Sequence, residues 1–239
     1  KDKKHPDYKT RYIPTVAAAT EVRLMLDRTI REIKKYSNKN IKIAFDEWNT
    51  YVEATPPYFI ENYNIADAIY AASLLNACIN RGDIITNTGI YHLINVMGNY
   101  RIEKKKIWKT PTTLVLELYT KFHKGKILKS VVNSSNFVSF KLGKQPEYKN
   151  NKLIDSAVTM NGKHMCMSVV NKSSSEKILL KVPYLDRIAE NYCIEGSNKV
   201  DLNTYENTSR VKIKKNSLKT SKGFLILPPH SISVVLFNI

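Results

Sequence analysis

The feature that most constrains this chain is a change of rhythm near Gly125. Before it, helix-period segments alternate with short strand-like ones; after it, short strands and turns follow one another with no helical pattern between. The first arrangement predicts βα units around a parallel sheet, and the second predicts a β-sandwich. The chain is therefore expected to divide at residues 1–125 and 126–239.

In the first part, Val22, Met25, Leu26, Ile30 and Ile33 recur at spacings of three and four, with Arg23, Arg28, Arg31, Lys34 and Lys35 opposite, which predicts a helix over Thr15–Tyr36. Asn38-Lys39-Asn40 breaks it, and Ile41–Asn49 reads as a strand with a polar end. Thr55-Pro56-Pro57 reads as a loop, because adjacent prolines cannot continue a central strand. Ile65, Ala68, Ile69, Ala72, Leu75 and Ile79 predict one apolar face of a second helix ending near Asn80, with Asp67 in its first turn and Gly82 as its C-terminal cap. A strand begins at Asp83–Thr86, and Pro111 opens a third helix over Thr112–His123. Beyond Gly125 the expected strands are Ile127–Val132, Ile154–Met160, His164–Val170, Lys177–Val182, Ala189–Ile194, Val211–Ile213, Phe224–Leu227 and Ser231–Phe237, with Asn161-Gly162 as a hairpin turn. About eight short strands fit a jelly-roll-like sandwich.

Composition narrows the function classes. Hydrophobic residues at 43% and charged residues at 25% are ordinary for a folded soluble chain. No apolar run approaches the roughly 18–20 residues that cross a bilayer, so no membrane partner is expected. The net charge of +17 raises nucleic acid as a partner, but the lysines are spread along the chain and no nucleic-acid motif accompanies them. The densest runs, Lys104-Lys105-Lys106 and Lys212 to Lys215, are expected in loops or at strand edges, where lysine discourages edge-to-edge pairing. No nucleic-acid partner is expected. Cys78, Cys166 and Cys193 lack paired spacing and read as reduced core residues; the five histidines show no metal-ligand spacing. The polar start, with no apolar leader core, and the reduced thiols suggest the cytoplasm. The absence of an initiator methionine fits a fragment or a processed chain.

The local signal with the most chemistry is Phe45-Asp46-Glu47-Trp48-Asn49 at a strand's C-terminal end. Strand alternation puts Ile43, Phe45 and Glu47 on one face and Asp46 on the other. In a parallel βα barrel, catalytic groups sit at such ends, and Trp48 or Tyr51 would supply an apolar wall for a sugar ring. On spacing alone a strand-end glutamate is more often a solvated or capping residue.

The stretch IKIAFDEWNTY resembles the nucleophile strand of glycoside hydrolase family 51 α-L-arabinofuranosidases, in which a DEWN segment ends the seventh barrel strand. Residues 67–77, 81–96, 107–112, 201–206 and 227–234 resemble later segments of that family in the same order, so the likeness spans nearly the whole chain. It implies the last βα units of an incomplete (β/α)8 TIM barrel followed by a C-terminal jelly-roll-like β-sandwich. It also implies a retaining hydrolase that releases terminal non-reducing α-L-arabinofuranosyl residues from arabinose-containing oligo- or polysaccharides, with Glu47 as nucleophile and no cofactor. By the same resemblance Asp46 braces local structure, and the full-length enzyme is a homo-oligomer, a hexamer in many members. Two departures stand out. The family's acid/base glutamate, in an Asn-Glu pair ending the fourth strand, has no counterpart here, so the isolated chain is expected to be inactive. His92 stands where the family has a sugar-contacting glutamine, within an altered Thr86-Asn87-Thr88-Gly89 context, and Tyr51 stands where a tryptophan is frequent. The competing reading is a non-catalytic carbohydrate-binding or structural module, for which exposed pairs among Tyr148, Tyr184, Tyr192 and Tyr205 would be the sign.

Overall fold

The computed structural model describes residues 11–51, 62–143 and 145–239, so the Thr55-Pro56-Pro57 loop lies outside the described residues. Helix α1 spans Tyr12–Tyr36 and strand β1 Ile43–Trp48. Tyr12, Val16, Ala19 and Leu26 bury one side of α1, while Lys34 and Lys35 lie in its last turn against the carbonyl end of the dipole. Helix α2 (Ile65–Ile79) and strand β2 (Ile85–Ile90) follow, and β1 and β2 pair in parallel from Ile43↔Ile85 to Trp48↔Ile90.

The start of α2 is fixed by a capping box. The Asn64 side chain accepts from the Ala66 amide, and the Asp67 carboxylate accepts from the Asn64 amide, each at 2.8 Å. The rest of the helix corrects two expectations. It is buried on all sides from Ile65 to Cys78, because Ala71, Ser73, Asn76 and Ala77 are small or hydrogen-bonded enough to face neighbours too. Gly82 is not a left-handed cap, for the helix closes on Asn80 in right-handed geometry. What Gly82 supplies is space, since a Cβ there would sit 2.5 Å from Ile127 Cδ1.

A hairpin of β3 (Tyr100–Glu103) and β4 (Lys106–Lys109) precedes α3 (Pro111–Phe122). The lysine run hides this hairpin from pattern reading: Lys104 turns the chain at φ 52°, and Lys106 opens β4. Pro111 occupies the first turn of α3, as the sequence predicts.

The remaining strands are β5 (Lys126–Leu128), β6 (Asn136–Phe137), β7 (Asn151–Lys152), β8 (Ile154–Asn161), β9 (His164–Asn171), β10 (Ile178–Leu180), β11 (Ile188–Glu195), β12 (Lys212–Lys215), β13 (Lys219–Ser221), β14 (Phe224–Leu227) and β15 (Ser231–Asn238). An antiparallel six-stranded sheet runs β12-β11-β15-β9-β8-β5, and a three-stranded sheet runs β10-β14-β13. In the β8–β9 hairpin Asn161 remains in the ladder opposite His164, so the turn is Gly162-Lys163 rather than Asn161-Gly162. Gly162 at its first position takes φ 60°, the glycine-first pattern of a two-residue hairpin.

Alternation gives the six-stranded sheet two apolar faces. Met167, Val169, Cys193, Val235 and Phe237 face Ile178, Leu180, Leu225 and Leu227 of the smaller sheet. Cys166, Val170, Tyr192, Ile194, Ile232 and Val234 face a second core containing α2 and α3. Polar bonds fix the helices on the sheet. Asn76 Oδ1 accepts from Ser168 Oγ at 2.6 Å and Tyr119 OH at 2.8 Å, Asn76 Nδ2 donates to Asp155 at 2.6 Å, and Lys172 Nζ pairs with Asp155 at 2.6 Å. The three cysteines are free and buried, and burial pushes the thiols of Cys78, Cys166 and Cys193 up to about 11, 12 and 12. Among the described residues, no helix is long and apolar enough to cross a membrane.

Candidate active site

The C-terminal end of β1 departs from regular strand geometry. Phe45 pairs with Thr88 and Trp48 with Ile90, so β1 carries one more residue than β2 over this interval. This bulge at Asp46-Glu47 interrupts the alternation of side chains. Ile43 and Phe45 pack against the core, Asp46 and Glu47 are both exposed, and Trp48 returns to the buried side at 5% exposure. A glutamate on a regular strand would share the packed face of Phe45; the bulge frees it.

Gly89 lets the two strands approach closely at the bulge. A Cβ at that position would lie 3.1 Å from the Asp46 carbonyl oxygen and 3.6 Å from the Asp46 Cα. The side chain of Asp46, expected to brace the strand from its other face, is exposed, and it is the Asp46 backbone that packs. Trp48 is fixed by a 2.6 Å bond from its indole N–H to Thr88 Oγ1. Its ring is thereby largely withdrawn from solvent, whereas Tyr51 is 57% exposed.

Behind the bulge, a buried carboxylate organises the start of the following segment. Asp67 accepts from Thr50 Oγ1 at 2.8 Å and pairs with Arg11 at 3.3 Å, both partners of the ion pair being buried. Burial pushes the Asp67 carboxyl above its usual range, while Arg11 and the Asn64 amide pull it back. Tyr63 OH adds a bond to the Thr50 carbonyl at 3.2 Å.

The structure also brings the turn after β2 to the same strand end. Tyr91 N donates to the Trp48 carbonyl at 2.9 Å, which brings the backbone of the following residue, His92, close to the end of β1. His92 is half-buried at φ 66°, with its ring 3.8 Å from that of Tyr91 between centroids. The β1–β2 ladder and the Tyr91–Trp48 bond bring the segment that carries His92 to the strand end that bears Glu47 and Trp48, with Tyr51 three residues further on. Sequence reading singled out these four and left Asn49 and Thr88 without roles, although Asn49 stood within the DEWN segment. Their bonds join residues about forty positions apart, which no local period reveals.

The tyrosines that would mark a binding module are dispersed. Tyr192 is buried against Phe122 and donates to Glu190 at 2.6 Å; Tyr205 meets Trp108 edge-on, with Lys104 and Lys106 over its ring. Tyr184 is exposed, and among the described residues no ring contact joins any two of Tyr148, Tyr184, Tyr192 and Tyr205.

Comparison with known proteins relates the fold to others. The family model described as the alpha-L-arabinofuranosidase C-terminal domain matches residues 46–231, beginning at the bulge. An intracellular exo-α-(1→5)-L-arabinofuranosidase of Streptomyces lividans is 25% identical over 193 residues, covering 73% of this chain and 28% of that protein. The α-L-arabinofuranosidase of Thermotoga maritima, solved in complex with arabinose, superposes over 98% of this chain and 50% of its own, with a TM-score of 0.80 at 22% identity. The GH51 α-L-arabinofuranosidase of Thermotoga petrophila RKU-1 gives a TM-score of 0.81 at 24% identity over the same shares. The chain therefore spans about half the length of these solved structures and less of the curated relative.

Proposed function

Since the chain belongs to the family of the α-L-arabinofuranosidase C-terminal domain, we propose that it is the C-terminal part of a retaining glycoside hydrolase and carries that enzyme's nucleophile, Glu47. The observation that carries this reading is the bulge, which frees a carboxylate at the C-terminal end of a parallel strand while Phe45 and Trp48 stay packed. In (β/α)8 barrels that end of the strands is where chemistry is done.

In the proposed reaction the Glu47 carboxylate attacks the anomeric carbon of a terminal non-reducing α-L-arabinofuranosyl residue. The glycosidic C–O bond breaks as a second carboxylic acid gives its proton to the leaving oxygen. Water, deprotonated by that same group, then attacks the anomeric carbon and releases arabinose with regeneration of Glu47. A retaining pair requires carboxyl groups about 5–5.5 Å apart. The second group is assigned to a part of the enzyme not in this chain. Tyr51 is proposed as an aromatic wall, Trp48 as the support beneath the site, and His92 as a hydrogen-bonding partner for a sugar hydroxyl. The substrates are arabinose-containing oligo- or polysaccharides, and the full-length enzyme is proposed to be an intracellular homo-oligomer.

Residues 1–125 would then supply the closing βα units of a (β/α)8 barrel, and 126–239 the sandwich. The parallel pairing of β1 with β2 supports this reading, because parallel strands are found with several neighbours and with both faces covered. The test is Glu47→Gln in the full-length enzyme, assayed on an aryl arabinofuranoside. Loss of several orders of magnitude in kcat with folding intact is expected, and unchanged turnover would remove Glu47 from the mechanism.

A further inference from the structure

We infer that Asn49 is a positioning residue, whose side-chain amide sets the turn over residues 91–97 and so places His92 beside the strand end that carries Glu47. The inference rests on the roles proposed above for Glu47 and His92, and adds what holds His92 in place.

One amide group serves both ends of this turn. Asn49 Nδ2 donates to the Tyr91 carbonyl and to the Met97 carbonyl, each at 2.9 Å, and Oδ1 accepts from the Thr50 amide at 2.9 Å. An amide NH2 has two protons, so both bonds form at once from one nitrogen. The chain between the two anchored carbonyls is strained. His92, Asn95 and Val96 stand at φ 66°, 48° and 49°, and for a β-branched residue such as Val96 that conformation is a clear outlier. Strained backbone persists only where its surroundings over-determine it.

The turn has internal supports as well. Asn99 Nδ2 donates to the His92 carbonyl at 3.2 Å, Asn95 Oδ1 accepts from the Ile102 amide at 2.8 Å, and Tyr100 N donates to the Leu93 carbonyl at 2.9 Å. These bonds shape the turn against its own hairpin. Asn49, with the backbone bond from Tyr91 to Trp48, registers it on β1. The chemistry required at position 49 is a neutral double donor. A carboxylate there would set negative oxygens against two carbonyl oxygens at nearly the same shape, and alanine would leave both carbonyls to water.

The experiment uses two readouts. In this chain, the His92 ring resonances are expected to shift in both Asn49→Asp and Asn49→Ala. In the full-length enzyme, Asn49→Ala is expected to raise KM about tenfold with kcat changed less than about threefold, the pattern of lost substrate binding rather than lost chemistry. Combined with His92→Ala, it should add nothing further, because both changes remove the same interaction. His92 resonances that stay in place, a KM effect fully additive with His92→Ala, or a collapse of kcat would each overturn the positioning role. Full activity in Glu47→Gln would overturn the underlying reading of the site instead, and with it this inference, so the two failures are distinguishable.

Discussion

The six-stranded sheet and the β1–β2 pair are both built from short strands, yet they meet their packing requirements in opposite ways. The large sheet is covered on both faces, by α2 and α3 on one side and by β10, β13 and β14 on the other. Its outer strand β12 carries Lys212, Lys214 and Lys215, and two of these reach across to Glu195 and Glu190. Charged side chains of this kind keep an edge from recruiting another strand. Among the described residues the parallel pair has no further strand beside it, and Ala44, Asp46 and Glu47 of β1 and Thr86 and Asn87 of β2 are exposed. One region is covered on both faces, and the other leaves the residues of the proposed site exposed. The difference accords with the proposal that the β1–β2 pair belongs to a larger barrel sheet, while the sandwich is built within this chain.

The contrast predicts that stability and activity respond to different residues, and the largest stability effect belongs to the covered region. Leu225, fully buried between the two sheets, is expected to cost about 2–5 kcal/mol when changed to alanine, read by urea unfolding. A loss below about 1 kcal/mol would mean that the inter-sheet core is not what holds the chain. Next is a pH effect at the sheet–helix boundary. Burial lowers His123 from its usual value near 6.5 to about 4, with Nδ1 bonded to Thr159. The unfolded chain then binds more protons between those values, so stability is full above about 6.5 and falls as pH drops towards about 4, by roughly 3 kcal/mol at the low end. His123→Gln should flatten that part of the stability–pH curve, and an unchanged curve would assign the dependence to other groups.

Smaller effects sharpen the comparison at the site itself. Asn64→Ala removes one arm of the α2 capping box and should destabilise by about 1 kcal/mol in thermal or urea unfolding. Glu47→Gln, at an exposed position, should alter folding stability by no more than about 0.5 kcal/mol while abolishing turnover in the full-length enzyme. A large stability change in that variant would recast Glu47 as structural.

Much of the covered region was legible in the sequence, because period and burial agree there. The alternation of Met165, Cys166, Met167, Ser168 and Val169 gives both faces of β9, and the Pro111 signal opens α3 where expected. α2 was placed to within a residue of its end, but its all-round burial was not, because Ala71, Ser73 and Asn76 look like a polar or neutral side until they meet Tyr119 and Ser168. The hairpin of β3 and β4 escaped because its charged side chains show no strand period; Trp108 and Asn203, bonded across 95 positions at 3.1 Å, help to hold it. At the site, the residue types at the end of β1 pointed to Glu47, but strict alternation put it on the packed face of Phe45. The bulge that frees it packs against Gly89 of the partner strand, and the link from Asn49 to the turn at 91–97 is tertiary. Neither leaves a local trace.

The measurement that tests the central claim most directly is capture of the covalent intermediate. The full-length enzyme, quenched in acid during turnover of an arabinofuranoside with a good leaving group, is digested and mapped by mass spectrometry. The account predicts one pentosyl group esterified to the peptide that contains Glu47, absent in Glu47→Gln. A pentosyl ester on a different carboxylate would contradict it.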